Sequence, residues 1–314
     1  MVNAAWPPGE GPRGLAVADL VEQVGADGIG LPDSPRLFGD PIVLTERLLT
    51  GSTLPLVGPC VLGMGLRHPV TTAAALRTLA AEHPGRLLAV LARGESSVRN
   101  EGLTPPGLAD HLHALAEVAR AVGPAATDMV LLGAASGPRT VAGTATTLGG
   151  VLIDVGAEPS AVARAVRAAR DARPDAVCWL FLRACATSSA ADVDRVTAPL
   201  LGSCAARLAA APEWYGVPPE LVAELEELAA AHDYARHGRP NALAEAGSAQ
   251  ARAVTRDRFF LTGDRAAIAG RIAALLPPDV DGIVLAGAAG GLARGLADTV
   301  GGVIDGLRPG SEDA

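Results

Sequence analysis

The sequence predicts an α/β fold, a (β/α)8 TIM barrel with a helical insertion before the last strand. Three observations predict it. Short apolar runs recur along the chain, each followed by a helical pattern. The length, 314 residues, suits one large barrel. No Gly-x-Gly-x-x-Gly follows an early strand, which argues against the rival open, doubly wound sheet.

The strands are read near 2–6, 27–31, 55–62, 87–92, 129–134, 151–155, 177–182 and 282–286. Such unbroken apolar runs suit parallel strands buried on both faces. Pro69 fits the first turn of a helix through Leu79. Leu108, Leu112, Leu115, Val118, Ala119 and Val122 form one apolar stripe, as do Val162, Ala165, Val166 and Ala169. His111 and His113, two apart on a helix, point away from each other and are read as surface residues.

From Thr187 to Arg258 the rhythm breaks, and no clear strand occurs. Helices are expected over 190–211 and 219–236, around the segment Pro212-Glu213-Trp214-Tyr215-Gly216-Val217-Pro218-Pro219. An insertion of this length suits a lid, a dimer contact or extra helices packed outside the barrel. The chain reads as one domain over 1–307, with a disordered tail over 308–314.

Composition narrows the function. Mean hydropathy is +0.29, yet no 18-residue apolar stretch escapes a charge or a Gly/Pro break, so no membrane span is expected. The N-terminus lacks the basic and apolar regions of a signal peptide, and the chain reads as cytoplasmic. Net charge is −8 without a basic stripe, which argues against nucleic acid. All 26 basic residues are Arg, which excludes Schiff-base catalysis and a P-loop lysine. Cys60, Cys178, Cys185 and Cys204 lack metal-ligand spacing, and no metal is expected. Cys60 and Cys178 lie in apolar strands and read as core thiols.

Two turns carry chemistry. One is Ala92-Arg93-Gly94-Glu95-Ser96-Ser97; the other is Gly133-Ala134-Ala135-Ser136-Gly137-Pro138-Arg139. Both put Gly, Ser and Arg where a buried strand ends and a helix begins. Free helix N–H groups and an arginine fork converge there on an anion. The expected ligand is a phosphorylated cofactor, and the chain reads as an enzyme.

Several stretches, in order, resemble the bacterial luciferase-like superfamily of flavin-dependent monooxygenases and deazaflavin-dependent methylenetetrahydromethanopterin reductases. Val24-Gly25-Ala26-Asp27-Gly28-Ile29-Gly30-Leu31-Pro32-Asp33 is similar to the family's run through its second strand. Arg67-His68-Pro69 is similar to its "R-H-P". Pro84-Gly85-Arg86 with Arg93-Gly94-Glu95-Ser96 is similar to "S-P-G-R…G-x-G-D-S", although Ala92 and Glu95 replace the usual Gly and Asp. Ala135-Ser136-Gly137-Pro138-Arg139 is similar to "A-A-S-G-P-R", and Phe260-Leu261-Thr262-Gly263-Asp264 to the "G-T-P-E-E-V" segment.

The resemblance implies a (β/α)8 barrel, dimeric, with FMN or deazaflavin coenzyme F420 at the C-terminal ends of the strands. Carried over by position, Arg93, Ser96, Ser136, Gly137 and Arg139 are candidates for the phosphate or the isoalloxazine edge. Gly63 and Gly65 are candidates for close ring approach, in a turn where many members have a non-proline cis peptide and which is short here. Asp33 stands near the luciferases' catalytic histidine and is a proton-transfer candidate, with a helix or turn cap as the alternative. His68 is a second catalytic candidate, or a cap.

Trp6, at the end of the first strand, is a candidate wall of the substrate pocket, or a core residue. Arg183, at the end of the seventh strand, is a candidate contact for an anionic substrate or cofactor tail. Gly287-Ala288-Ala289-Gly290-Gly291 is a candidate second phosphate site. The expected function is an FMN-dependent monooxygenase acting with oxygen on a small organic substrate, served by a separate flavin reductase and working as a homodimer. Word Ser97-Val98-Arg99-Asn100-Glu101-Gly102-Leu103 resembles the F420-dependent reductases and carries the alternative, a hydride-transferring reductase or dehydrogenase. A redox-inactive barrel is the third reading.

Overall fold

A strand buried on both faces has no polar side to show, so each apolar run becomes a barrel strand. The computed structural model describes residues 1–187, 189–236, 246–277, 279–287, 297–301 and 304. Its first half runs β1 (Val2–Asn3), α1 (Gly11–Gln23), β2 (Gly28–Leu31), α2 (Pro41–Gly51), β3 (Leu56–Gly63), α3 (Pro69–Glu82), β4 (Leu87–Ala92), α4 (Glu95–Asn100), α5 (Leu108–Val122) and β5 (Met129–Ala135). The second half runs α6 (Pro138–Leu148), β6 (Gly150–Ile153), α7 (Pro159–Ala172), β7 (Val177–Ala186), α8 (Ala190–Ala210), α9 (Pro212–Tyr215), α10 (Val222–Ala230), α11 (Ala249–Phe259), β8 (Phe260–Gly263), α12 (Arg265–Leu275) and β9 (Gly282–Gly287).

Every strand pairing is parallel, and eight strands close a ring in the order β1-β2-β3-β4-β5-β6-β7-β9, with β9 returning to β1. The fold is a (β/α)8 TIM barrel. One strand was not predicted. β8 lies outside the ring and pairs with the upper half of β7, from Arg183↔Phe260 to Ala186↔Gly263. The lower half of β7 pairs with β6 on that same side. Phe260–Gly263 is too short for a pattern of its own, and the ten-residue length of β7 creates its place.

Strand parity separates the two cores. Cys60, Leu88, Val90, Leu132, Leu152 and Val284 point inward and pack with Trp179 and Phe181. Alternate residues join the larger core beneath the helices. Gly58 faces the backbone of β4, where a Cβ would lie 1.8 Å from the Leu88 oxygen. The stripe of α5 is buried at Leu115, Val118 and Val122, and that of α7 at Val162, Ala165, Val166 and Ala169. His111 corrects the surface reading. It lies one turn before Leu115 on the same stripe and is fully buried.

The insertion is helical as expected, with α8 and α10 close to the predicted ranges. No described helix is long and apolar enough to cross a membrane. The tail over 308–314 and the Ala288–Gly291 part of the second phosphate candidate lie outside the described residues.

Gly58→Ala should destabilise the fold by at least the ~1–3 kcal/mol of an overpacked core. Gly270, inside α12, has open space where a Cβ would go. Gly270→Ala should therefore stabilise by about 0.4–1 kcal/mol. Urea unfolding of both variants checks the contrast.

Candidate active site

The C-terminal ends of the strands gather most of the candidate residues at one end of the barrel. β5 ends at Ala135 and α6 begins at Pro138. Gly137 is the N-cap of α6; no side chain caps the helix, and nothing lies within 4 Å of the position a Cβ would take. Its first-turn N–H groups are therefore available to an anion. Arg139 is exposed and forms no ion pair among the described residues. The carbonyl of Ser136 accepts hydrogen bonds from Trp214 Nε1 (3.1 Å) and Tyr215 Oη (2.9 Å). The insertion thus grips this turn by its backbone, and among the described residues the Ser136 hydroxyl has no partner. Sequence reasoning did not find this pair. Its signal was two adjacent aromatics between prolines, in a chain only 3% aromatic.

In the neighbouring turn, Gly94 adopts φ 80° and turns the chain from β4 into α4. Arg93 pairs with Glu95 at 3.3 Å and Ser96 is half-buried. At Gly63 and Gly65 the side a Cβ would occupy is taken by the protein itself. A Cβ on Gly63 would meet Ser97 Oγ at 3.0 Å, and one on Gly65 would meet Val98 at 2.7 Å and Pro106 at 3.0 Å. Both glycines admit α4 and the entry to α5 against the end of β3. A cis peptide joins Cys60 and Val61 in this strand, a non-proline bond. Asn3 Nδ2 donates to the Cys60 carbonyl, and the Asp33 N–H donates to the Val61 carbonyl.

Asp33 is 5% exposed and both its oxygens are engaged. Arg67 holds it from Nε (2.8 Å) and Nη2 (3.2 Å), and the Gly63 N–H donates to it at 3.2 Å. Arg67 also reaches Asp40 at 2.8 Å. Burial opposes the Arg67 charge, but the two carboxylates outweigh it and raise its pKa. Asp33 is thus the strut between β2 and the β3 turn. His68 is the exposed N-cap of α3, its ring nitrogen accepting from the Val70 N–H at 3.3 Å. It faces a cleft of about 410 Å³ between the starts of α2 and α3, with Asp40, Val43, Leu66 and Thr71.

Trp6 belongs to the outer core, not the pocket wall. Val2, Ala4 and Trp6 share the outward parity of the first segment, and the indole lies against Gly14 of α1. Arg183 does end in the barrel interior, but it is already paired. Its guanidinium grips Asp154 through two bonds of 2.7 and 2.8 Å and lies over Phe181 and Phe259. Arg207 of α8 donates to the same carboxylate. Burial pushes the Asp154 carboxyl up, but the Arg183 and Arg207 charges outweigh it and hold the group well below the usual range. Neither Asp154 nor Arg207 was singled out from sequence, since neither lies in a motif.

No protein-family model and no curated protein matches this chain. Solved structures do. A coenzyme F420-dependent tetrahydromethanopterin reductase from Methanopyrus kandleri superposes with a TM-score of 0.72 at 14% identity, over 98% of this chain and 96% of that one. An F420-dependent secondary alcohol dehydrogenase in complex with an F420-acetone adduct gives 0.68 at 14% identity, covering 98% of each chain. The FMN-bound oxygenating constituent of 3,6-diketocamphane monooxygenase from Pseudomonas putida gives 0.58 at 13%, over 98% and 97%. The chain shares its fold with these proteins, in keeping with the luciferase-like resemblance.

Two pH effects follow. Folding lowers the Asp154 pKa, so its contribution is present above the unfolded value of about 3.9 and is lost as pH falls below it. Asp154→Asn should cost ~3–5 kcal/mol at neutral pH, because two arginines lose their partner. It should also flatten the acid limb of a stability–pH profile. His111 is held neutral by burial, with a push from Arg93, its pKa lowered to about 4. Stability should therefore decline as pH falls from the unfolded ~6.5 toward that value. His111→Gln should remove this slope in denaturant titrations across the interval.

Proposed function

We propose that this protein is an oxidoreductase that binds a phosphorylated flavin-type cofactor at the C-terminal mouth of the barrel, with coenzyme F420 ahead of FMN. The observation that carries the reading is the β5–α6 turn. There an uncapped helix N-terminus lies beside a carbonyl locked by Trp214 and Tyr215, in a segment that also carries the Ser136 hydroxyl and an exposed Arg139, neither of them paired among the described residues. That donor set fits a phosphate.

In this reading Arg139, the α6 amides and Ser136 bind the anion, and Arg93 and Ser96 border it from the β4 turn. The aromatic pair keeps the turn rigid, and α8 to α11 limit water at the mouth. Bound there, F420 would supply hydride transfer, whereas reduced FMN would supply reaction with oxygen. F420 is placed first because the F420-dependent reductase and dehydrogenase overlap at 0.72 and 0.68, against 0.58 for the FMN-bound monooxygenase. The word Ser97–Leu103 leans the same way. The FMN reading stands second, supported by that monooxygenase's match over 98% of the chain. It requires a separate flavin reductase as partner.

Titration of the purified protein with F420 and, separately, FMN tests both readings. Tighter F420 binding is expected. Arg139→Ala and Ser136→Ala should each weaken it by about 1.5–3 kcal/mol with the thermal midpoint unchanged. Unchanged affinity in both variants would remove the phosphate from this turn. Binding of neither cofactor would leave a redox-inactive barrel.

A further inference from the structure

Asp154, Arg183 and Arg207 form a charge cluster that does not balance. Leu152 points into the barrel, and Asp154, two residues further on, keeps that direction beyond the end of β6. Phe181 and Arg183 repeat the pattern on β7. The cluster therefore caps the interior core at the C-terminal face. Arg207 descends onto it from α8 and lies over the Phe259 ring.

One carboxylate faces two guanidinium groups there. Cys204, Tyr215 and Tyr234, which also act on Arg207, are kept protonated by burial, which raises all three. Among the described residues one positive charge is left over, where an uncompensated charge is costly. The two arginines differ in what they have left to offer. Arg183 spends both terminal nitrogens on Asp154, and its side chain is 8% exposed. Arg207 spends one, and its side chain is 32% exposed. Among the described residues its Nε and Nη2 have no partner, and neither is sealed off.

We propose that Arg207, held in place by Asp154 and Arg183, recognises an oxyanionic group, a carboxylate or phosphate, on the substrate. The assignment rests on the oxidoreductase reading for what the substrate undergoes, but the anion site stands on its own geometry. Arg207 presents two N–H donors in a plane, which match two oxygens of such a group. Phe259 below and Asp154 beside it hold the guanidinium in one orientation. The surplus charge is neutralised when the anion arrives. The cofactor phosphate is assigned to the β4 and β5 turns, so the β6–β7 side is left to the substrate.

The test uses the full-length protein and two probes, benzoate and inorganic phosphate, followed by tryptophan fluorescence and by the arginine Nε–H resonances in NMR. Wild type should bind at least one probe and shift the Arg207 resonance, identified by its loss in Arg207→Lys. Arg207→Gln should weaken that probe at least about tenfold, as expected for one charge-assisted contact. Its affinities for F420 and FMN should match wild type. A preference for benzoate over phosphate, or the reverse, names the anion. Should Arg207→Gln fail to fold, Arg207→Lys keeps a cation beside Asp154, and the wild-type resonance shift still decides.

Three results overturn the proposal: no binding of either probe by wild type, equal binding by Arg207→Gln, or a loss of cofactor affinity in that variant, which would assign Arg207 to the cofactor. Wild type that binds a probe through Arg207 but neither cofactor supports the anion site and removes the oxidoreductase reading.

Discussion

Asp154 stands at the top of β6 with its two oxygens shared between Arg183 of the barrel and Arg207 of the insertion. A buried carboxylate is tolerable only when it is paired, and a pair of buried arginines only when something separates their charges. Each group here makes the others possible. The same contact fixes α8 to the rim of the barrel, and with α8 fixed, the segment that follows has one place to go. α9 then reaches the β5–α6 turn through Trp214 and Tyr215. Arg164 of α7 bonds the Trp214 carbonyl at 2.8 Å, and Arg258 of α11 bonds the carbonyls of Tyr215 and Gly216. Polar contacts made by side chains of α7, α8 and α9 tie the insertion to the rim, and Arg258 ties α11 to α9 within it.

That arrangement divides labour within a single turn. The inner side of Ser136–Arg139 is held by hydrogen bonds to a carbonyl, and the outer side presents N–H groups, a hydroxyl and a guanidinium. Donors and acceptors of one short backbone segment are thereby separated, and the hydrogen bonds that hold the turn leave the α6 amides unused. The β2–β3 side is built differently. Asp33, Arg67 and Asp40 bond mostly to one another, and the glycines at the end of β3 are filled by α4 and α5. This side of the rim is braced, while the β5 and β6–β7 sides keep donors in reserve.

The failures of sequence reasoning have a common cause. Gly63 and Gly65 were correctly read as close-approach glycines, but a glycine does not say what approaches. Trp6 was placed at a strand end, and the parity it shares with Val2 and Ala4 turned it outward. His111 was judged against His113, whereas its burial follows from Leu115 one turn along. Arg183 was read as an anion contact, and the anion it meets is the protein's own Asp154. β8 escaped because four residues carry too little periodicity.

Apolar runs, helical stripes and the Gly-Ser-Arg turns are properties of neighbouring residues, and they were enough to specify a (β/α)8 barrel, its helical insertion and the rim positions at β4 and β5. Backbone hydrogen bonding and side-chain period act over a few residues, so a linear reading reaches them. Contacts that close the chain on itself do not announce themselves locally. Asp154 and Arg207 are 53 residues apart, and Trp214 and Ser136 are 78 apart. Which arginine meets which carboxylate depends on where strand and helix ends meet in space. Folding alone decided that Asp154 would carry two arginines and that one of them would keep free donors.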